Sequence, residues 1–290
     1  MKFAQNPICS QRRYGLLKGL AVASFLLASV LPSTVLAQES EKATFDSTTT
    51  LQTILTSSHR SVANRLRDKY RHPAQTLEFF GLRPNMSVVE LWPGIGWYSE
   101  ILAPILAQKG HLIVTNFDPN QNKLALAFQQ KLAAHPEVFG KVRVVQINPP
   151  ISLALAPDNS MDMVVTFRNI HNWVKAGYAD QVYAAAYKAL KPGGILGVEE
   201  HRAKPGISLL ESLKMGYMSE DGVIAAVENV GFKLVGKSEI NANPKDTKDY
   251  PGGVWTLPPT LSGGQKDRQR FLDIGESDRM TLKFVKPKTF

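Results

Sequence analysis

Residues 87–96 read Ser87-Val88-Val89-Glu90-Leu91-Trp92-Pro93-Gly94-Ile95-Gly96, a short apolar run that ends on an acid and opens into a glycine-bearing bend. The run is too short for a helix, is rich in valine and is bounded by turn formers, so it reads as a strand. Behind the bend, Trp97, Ile101, Ile105 and Leu106 recur at helical spacing, and Pro104 should kink that helix or mark a tight start. Strand, glycine turn and helix in that order make one unit of an alternating β/α chain.

The same alternation continues downstream. Residues 111–117 read as a strand, followed by a helix from Pro119 with Leu124, Phe128 and Leu132 on one face. Strands are expected at 142–147, 163–167 and 195–199, and a helix over 180–190 that stops at Pro192-Gly193-Gly194. Then come a helix over 219–230 capped by Gly231, a sixth strand at 232–238, a 41-residue passage over 239–279, and a last strand at 280–285. Upstream, residues 59–71 and 74–80 read as helices, with Arg60, Arg65, Arg67 and Arg71 expected on a solvated face. Short apolar strands spaced by helices imply a parallel sheet covered on both faces.

Residues 1–37 have the features of a secretory signal. Lys2, Arg12, Arg13 and Lys18 form a basic start, an apolar run over 20–31 follows, and Val35-Leu36-Ala37 suits cleavage. The run is too short to span a bilayer comfortably, so no stable membrane insertion is expected after cleavage, and the mature protein is expected to be periplasmic or secreted. Residues 38–50 are polar and read as a lead-in. The expected organisation is thus a signal over 1–37, a lead-in and helix over 38–73, and an α/β domain over 74–290 interrupted at 239–279. Four of the 34 basic residues precede Gln38, leaving 30 against 25 acidic ones. That balance is not the footprint of a nucleic-acid binder. The only cysteine, Cys9, lies in the signal, so the mature chain has no disulfide, thiol nucleophile or zinc-thiolate site. Oligomeric state is not legible.

Residues 88–96 resemble the first motif of the class I S-adenosylmethionine-dependent methyltransferases, with Trp92 where the family usually has its first glycine. Val144-Val145-Gln146-Ile147-Asn148 resembles their strand-three motif, with Asn148 in place of an acid, and residues 157–165 resemble the approach to strand four. Ala189-Leu190-Lys191-Pro192-Gly193-Gly194-Ile195-Leu196 resembles the turn before strand five. The resemblance implies a Rossmann-like seven-stranded, mostly parallel sheet with helices on both faces and an antiparallel last strand. It further implies S-adenosyl-L-methionine as cofactor, held by Glu90, Gly94 and Gly96, by Asp118 or Asn116 at the second strand's tip, and by Asn148, with Arg168 grouped among these contacts. Asp118, ahead of Pro119, equally suits a helix N-cap. A closer likeness to a group of exported bacterial methyltransferases rests on Glu90-Leu91-Trp92-Pro93-Gly94, Gly96-Trp97-Tyr98, Glu200-His201-Arg202 and Gly275-Glu276-Ser277-Asp278-Arg279.

If the strand order follows that family, the tips of strands one, four and five bring together Glu90, Arg168-Asn169, His171-Asn172-Trp173 and Glu199-Glu200-His201. His171 and His201 are then the candidate bases, with Asn169 beside them as a third catalytic candidate. Trp173, Glu200, Tyr250 and Trp255 are expected to meet a small-molecule acceptor, and 239–279 to serve as a lid or wall. His171, His201, Glu199 and Glu200 match no metal-ligand spacing, so no metal is expected. Two other readings compete: a non-catalytic exported small-molecule binder on the same fold, and a nicotinamide dehydrogenase. The dehydrogenase suffers because Ser99 stands at the third fingerprint glycine.

Overall fold

The computed structural model describes residues 47–288. The signal-peptide reading over 1–37 lies outside them. Among the described residues no helix is long and apolar enough to cross a membrane.

The chain begins with α1 (Ser47–Thr56), so the end of the polar lead-in is helical. The helix expected over 59–71 is two short ones, α2 (Val62–Arg65), capped by the Ser61 side chain, and α3 (Asp68–Arg71). Pro73 opens α4 (Pro73–Phe80), which closes on Gly81 in the left-handed conformation at φ 82°. The alternating part follows: β1 (Ser87–Leu91), α5 (Ser99–Leu106), β2 (His111–Asn116), α6 (Lys123–Ala134), α7 (Pro136–Phe139), β3 (Arg143–Gln146) and β4 (Met161–Phe167). It continues with α8 (Ile170–Ala176), α9 (Ala179–Ala189) and β5 (Leu190–His201). The last part holds α10 (Leu209–Lys214), α11 (Glu220–Asn229), β6 (Lys233–Ser238), a 3-10 turn (Gly253–Thr256), α12 (Arg268–Ile274) and β7 (Arg279–Val285).

The strands form one sheet in the order β3-β2-β1-β4-β5-β7-β6, with β7 antiparallel to both of its neighbours and the others parallel. This is the expected architecture. The order reverses between β1 and β4, and a crevice opens there because successive crossovers leave in opposite directions. Strand alternation sends Val89, Leu91, Val164 and Val198 into one apolar layer. Val88, Met163, Val165 and Phe167 enter the other, with Ile54 and Leu55 of α1 packed among them.

Three local expectations change. Helix α6 starts at Lys123, not Pro119, because the Asn122 side chain accepts from the backbone N–H groups of Leu124 and Ala125; Asp118 instead accepts from Asn120 in a separate turn. Pro104 lies in the last turn of α5. Lys191-Pro192-Gly193-Gly194 is a bulge within β5, where the register jumps between Met161 and Met163 and Gly193 takes φ 83°.

Within β5, a Cβ at Gly197 would come within 2.7 Å of the Phe80 ring. Gly197→Ala should therefore cost about 1–3 kcal/mol by overpacking, whereas Gly222→Ala on α11 should stabilise by up to about 1 kcal/mol. Urea denaturation of the two variants checks this opposite pair.

Candidate functional site

The site is built where β1 and β4 separate. Trp92 leaves β1 at φ 45°, and Gly94 and Gly96 follow at φ 61° and 79°. The positive φ at Trp92 turns its indole out of the bend, onto Trp173 at 4.9 Å and Phe117 at 6.0 Å between ring centroids. The bend therefore stays open, although the family's glycine is missing. A Cβ on Gly94 would meet nothing within 4 Å, while one on Gly96 would strike Phe128 at 2.5 Å. Gly94 thus faces free space and Gly96 is needed for packing.

A cavity of about 200 Å³ lies against this bend, walled by Trp92, Gly94, Asn116, Asn169 and Trp173. Two more, of about 210 and 230 Å³, continue along the ends of β2 and β3 and share Phe117 with it. Asn116 borders the first two, and Asp118 and Asn148 border the third. Three buried donors around the first cavity have no hydrogen-bond partner: Asn116 Nδ2, Trp92 Nε1 and Trp173 Nε1. Buried donors are rarely left alone, so this wall has capacity to spare for a polar guest.

Glu90 departs from its expected place. It is 1% exposed, accepts from the Ser99 hydroxyl at 2.5 Å beneath the bend, and borders none of these three cavities. Burial pushes its pKa up to about 7, with the Ser99 bond and the charges of Lys131 and Arg168 pulling the other way. Asn169 also has a different task. Its Nδ2 donates to the Leu91 and Trp92 carbonyls at 3.0 and 3.3 Å, so it ties the end of β4 to the bend after β1.

The two histidines do meet. Their ring centroids are 5.4 Å apart, and Trp255 stands 6.2 Å from His171. His171 Nδ1 donates to Glu200 Oε1 at 3.0 Å. A carboxylate only accepts, so Nδ1 carries a proton toward Glu200 and Nε2 is the ring atom turned away from it. Glu200 is fully buried and also accepts from the backbone N–H groups of Ile170, His171 and His201, so it positions His171 and is closed to substrate. His201 Nδ1 is 2.6 Å from Ser277 Oγ. Burial holds the His201 pKa well below the usual imidazole range, reinforced by His171 and by Arg168, Arg279 and Arg71, so the ring is neutral at neutral pH. Ser277 was missed as a contact. It lies in the 275–279 stretch singled out for its likeness, but nothing local in sequence pairs it with His201.

Two expectations about the 239–279 passage separate. Trp255 is 37% exposed beside His171, whereas Tyr250 is buried against Phe271 and Leu257. The passage is also not a detachable lid. Asn241 donates to Thr76 and Thr281, and Asp246 accepts from the Tyr217 hydroxyl and the Asp278 N–H. Trp173 belongs to the cavity at the bend rather than to the histidine end. Arg168 bonds Glu199 and borders none of the three cavities.

Residues 91–198 match the family model described as a methyltransferase domain. The [4+2]-cyclase SpnF superposes with a TM-score of 0.54 at 14% identity, over 76% of this chain and 81% of its own. Phosphoethanolamine N-methyltransferase 2 of Haemonchus contortus, solved with S-adenosyl-L-methionine, gives 0.52 at 15% identity, over 76% of this chain and 53% of its own. The fold is that of the methyltransferases. Sterol 24-C-methyltransferase erg-4 of Neurospora crassa is 26% identical over 231 residues, covering 73% of this chain. The chain spans about half the length of the curated relatives it matches.

Glu90 offers a pH test of this geometry. The folded chain keeps its proton up to about 7, whereas the unfolded chain releases it near 4.5. The folded state binds more protons in that window, so Glu90 makes wild-type stability fall as pH rises through it. Glu90→Gln should therefore gain on wild type by about 3 kcal/mol between pH 4.5 and 7. Urea denaturation at pH 5 and pH 8 measures the change; an equal difference at both would mean the carboxylate stays ionised.

Proposed function

We propose that the protein transfers a methyl group from S-adenosyl-L-methionine to a small-molecule acceptor. The observation that carries the reading is the open bend after β1, where Gly94 faces free space and Asn116 Nδ2 waits without a partner. It is supported by the match over 91–198 and by the bound cofactor of the Haemonchus contortus neighbour. The residues suit such a guest. The bend lets the backbone come close to its amino-acid part, Asn116 can donate to a ribose oxygen, and Asp118 and Asn148 border the next cavity along. When bound, the cofactor supplies an electrophilic methyl group on a sulfonium.

The protein's own part is positioning and proton transfer. Asn169 holds the bend against β4. Trp255 and the histidine pair wall the place where an acceptor would lie. Glu200 fixes His171 so that Nε2 can take a proton from an acceptor hydroxyl, thiol or ammonium as its bond to carbon forms. His201, kept neutral by burial, is a second acceptor for that proton.

A non-catalytic binder remains the competing reading, favoured by the enclosure of Glu90 and by Asn148 in place of an acid. Export is proposed from residues 1–37 alone, and N-terminal sequencing of the secreted fraction tests it.

Calorimetric titration with S-adenosylmethionine and S-adenosylhomocysteine tests the main reading, and no binding at millimolar concentration would sink it. Gly94→Ala should weaken cofactor binding by about tenfold or more, because its Cβ enters the space the guest needs, at a stability cost of about 1 kcal/mol. His171→Ala should leave cofactor binding within about twofold and lower turnover by about a hundredfold, measured by homocysteine-product release.

A further inference from the structure

On the face of the sheet covered by α3 to α5, four guanidinium groups share two carboxylates. Arg279 Nη1 reaches Glu199 Oε1 at 2.9 Å and Glu276 Oε2 at 3.3 Å. Arg168 Nη1 reaches Glu199 Oε1 at 3.0 Å, Arg71 Nε reaches Glu276 Oε2 at 3.0 Å, and Arg67 Nε reaches Glu276 Oε1 at 2.6 Å. The remaining Glu199 oxygen is met by the neutral Tyr98 hydroxyl at 2.9 Å. Four cations against two anions leave two positive charges without a counter-charge in this network. Glu200, the next residue along, points to the opposite face and is saturated by His171 and backbone N–H groups. The crowding shows in Arg71, whose pKa falls to about 9 through burial and the charge of Arg168.

Among the described residues Arg67 Nη2 and Arg71 Nη1 lack a hydrogen-bond partner, but both atoms are shut away from solvent. Arg279 also donates to the Ser277 and Tyr70 carbonyls, and Arg71 lies 4.6 Å over the Trp97 ring. Arg168 differs. It stands at the tip of β4 at φ 60°, and its side chain is 18% exposed. Among the described residues its Nε and Nη2 have no hydrogen-bond partner. Those two nitrogens form the fork edge that takes a planar or tetrahedral oxyanion with two bonds. The backbone N–H of Arg168 bonds the Glu199 carbonyl at 2.7 Å, and His201 lies two residues further on the same face of β5. The free edge and the histidine pair therefore belong to neighbouring strand tips.

We propose that the methyl acceptor carries an oxyanion group, a carboxylate or a phosphate, that docks on the free Nε/Nη2 edge of Arg168 and presents the reacting atom to His171 and His201. The network holds more cations than anions, so an anion arriving with the substrate adds a counter-charge and takes up the two unpaired nitrogens. The inference rests on the methyl-transfer reading for the word acceptor, but the anion site itself does not.

Calorimetric titration of the protein with inorganic phosphate and, separately, benzoate at low salt tests it, with S-adenosylmethionine titrated into the same samples. At least one anion should bind saturably, and Arg168→Gln should weaken it by about tenfold or more. The stronger of the two identifies the group. Without ligand, Arg168→Gln should still unfold in one cooperative urea transition, since Glu199 keeps Arg279 and Tyr98, so that lost anion binding is not lost structure. Failure of both anions to bind, or binding that Arg168→Gln leaves unchanged, overturns the proposal. A protein that binds S-adenosylmethionine but neither anion refutes this inference alone. One that binds an anion but no cofactor refutes the methyl-transfer reading and leaves the anion site standing.

Discussion

The amide of Asn169 carries the join between β1 and β4 past the last paired residues, Leu91 and Thr166. By donating to the Leu91 and Trp92 carbonyls, it joins the end of β4 to the bend after β1, where the strand order reverses. The crossovers on either side leave in opposite directions, so the chain segments diverge beyond the paired ends of the two strands. The open bend, the Trp92 indole folded onto Trp173, and the cavity lined by both lie beside this bond. The positive φ values at Trp92 and Arg168, on adjacent strand tips, show that unfavourable backbone conformations are concentrated in the same place.

From that crevice the chemistry divides between the two sides of β5. Successive residues of a strand face opposite ways, so Glu199 and Glu200 serve different networks although they are adjacent. Glu200 gathers backbone N–H groups and fixes one histidine. Glu199 sits among arginines that outnumber their counter-charges. His201, at the end of the strand, is reached by both: it lies near His171 and feels the arginine charge. A site assembled this way combines a neutral base with a cationic rim.

The passage over 239–279 is part of the scaffold. Asn241 and Asp246 bond to α4, β7 and the Tyr217 hydroxyl, while Trp255 stands beside the histidines. Tyr250 looked equivalent to Trp255 in the sequence, since both are aromatic residues of the same passage. Which ring reached the site was decided by the packing of Phe271 and Leu257 over Tyr250. Likewise the arginines at 60 and 71 had the spacing of a solvated helix face, yet both are buried because acids distant in sequence, among them Glu100 and Glu276, come to meet them.

Strand positions were legible because apolar periodicity and turn residues act locally: β1 coincides with its expected span, and the seven strands fall within a few residues of theirs. The likeness to a known family extended this to strand order, and with it to the nearness of His171, His201 and Glu200. Hydrogen bonds between residues far apart in the chain were not legible. Ser277 meeting His201 and the fourfold arginine cluster each join segments whose contact no local pattern encodes. By itself the sequence determined the sheet, the glycine bend and the residues available at the strand tips, because period and turn chemistry act over a few residues. Only the tertiary structure decided which tips line a cavity and which carry a brace, because burial and charge depend on what the rest of the chain brings alongside.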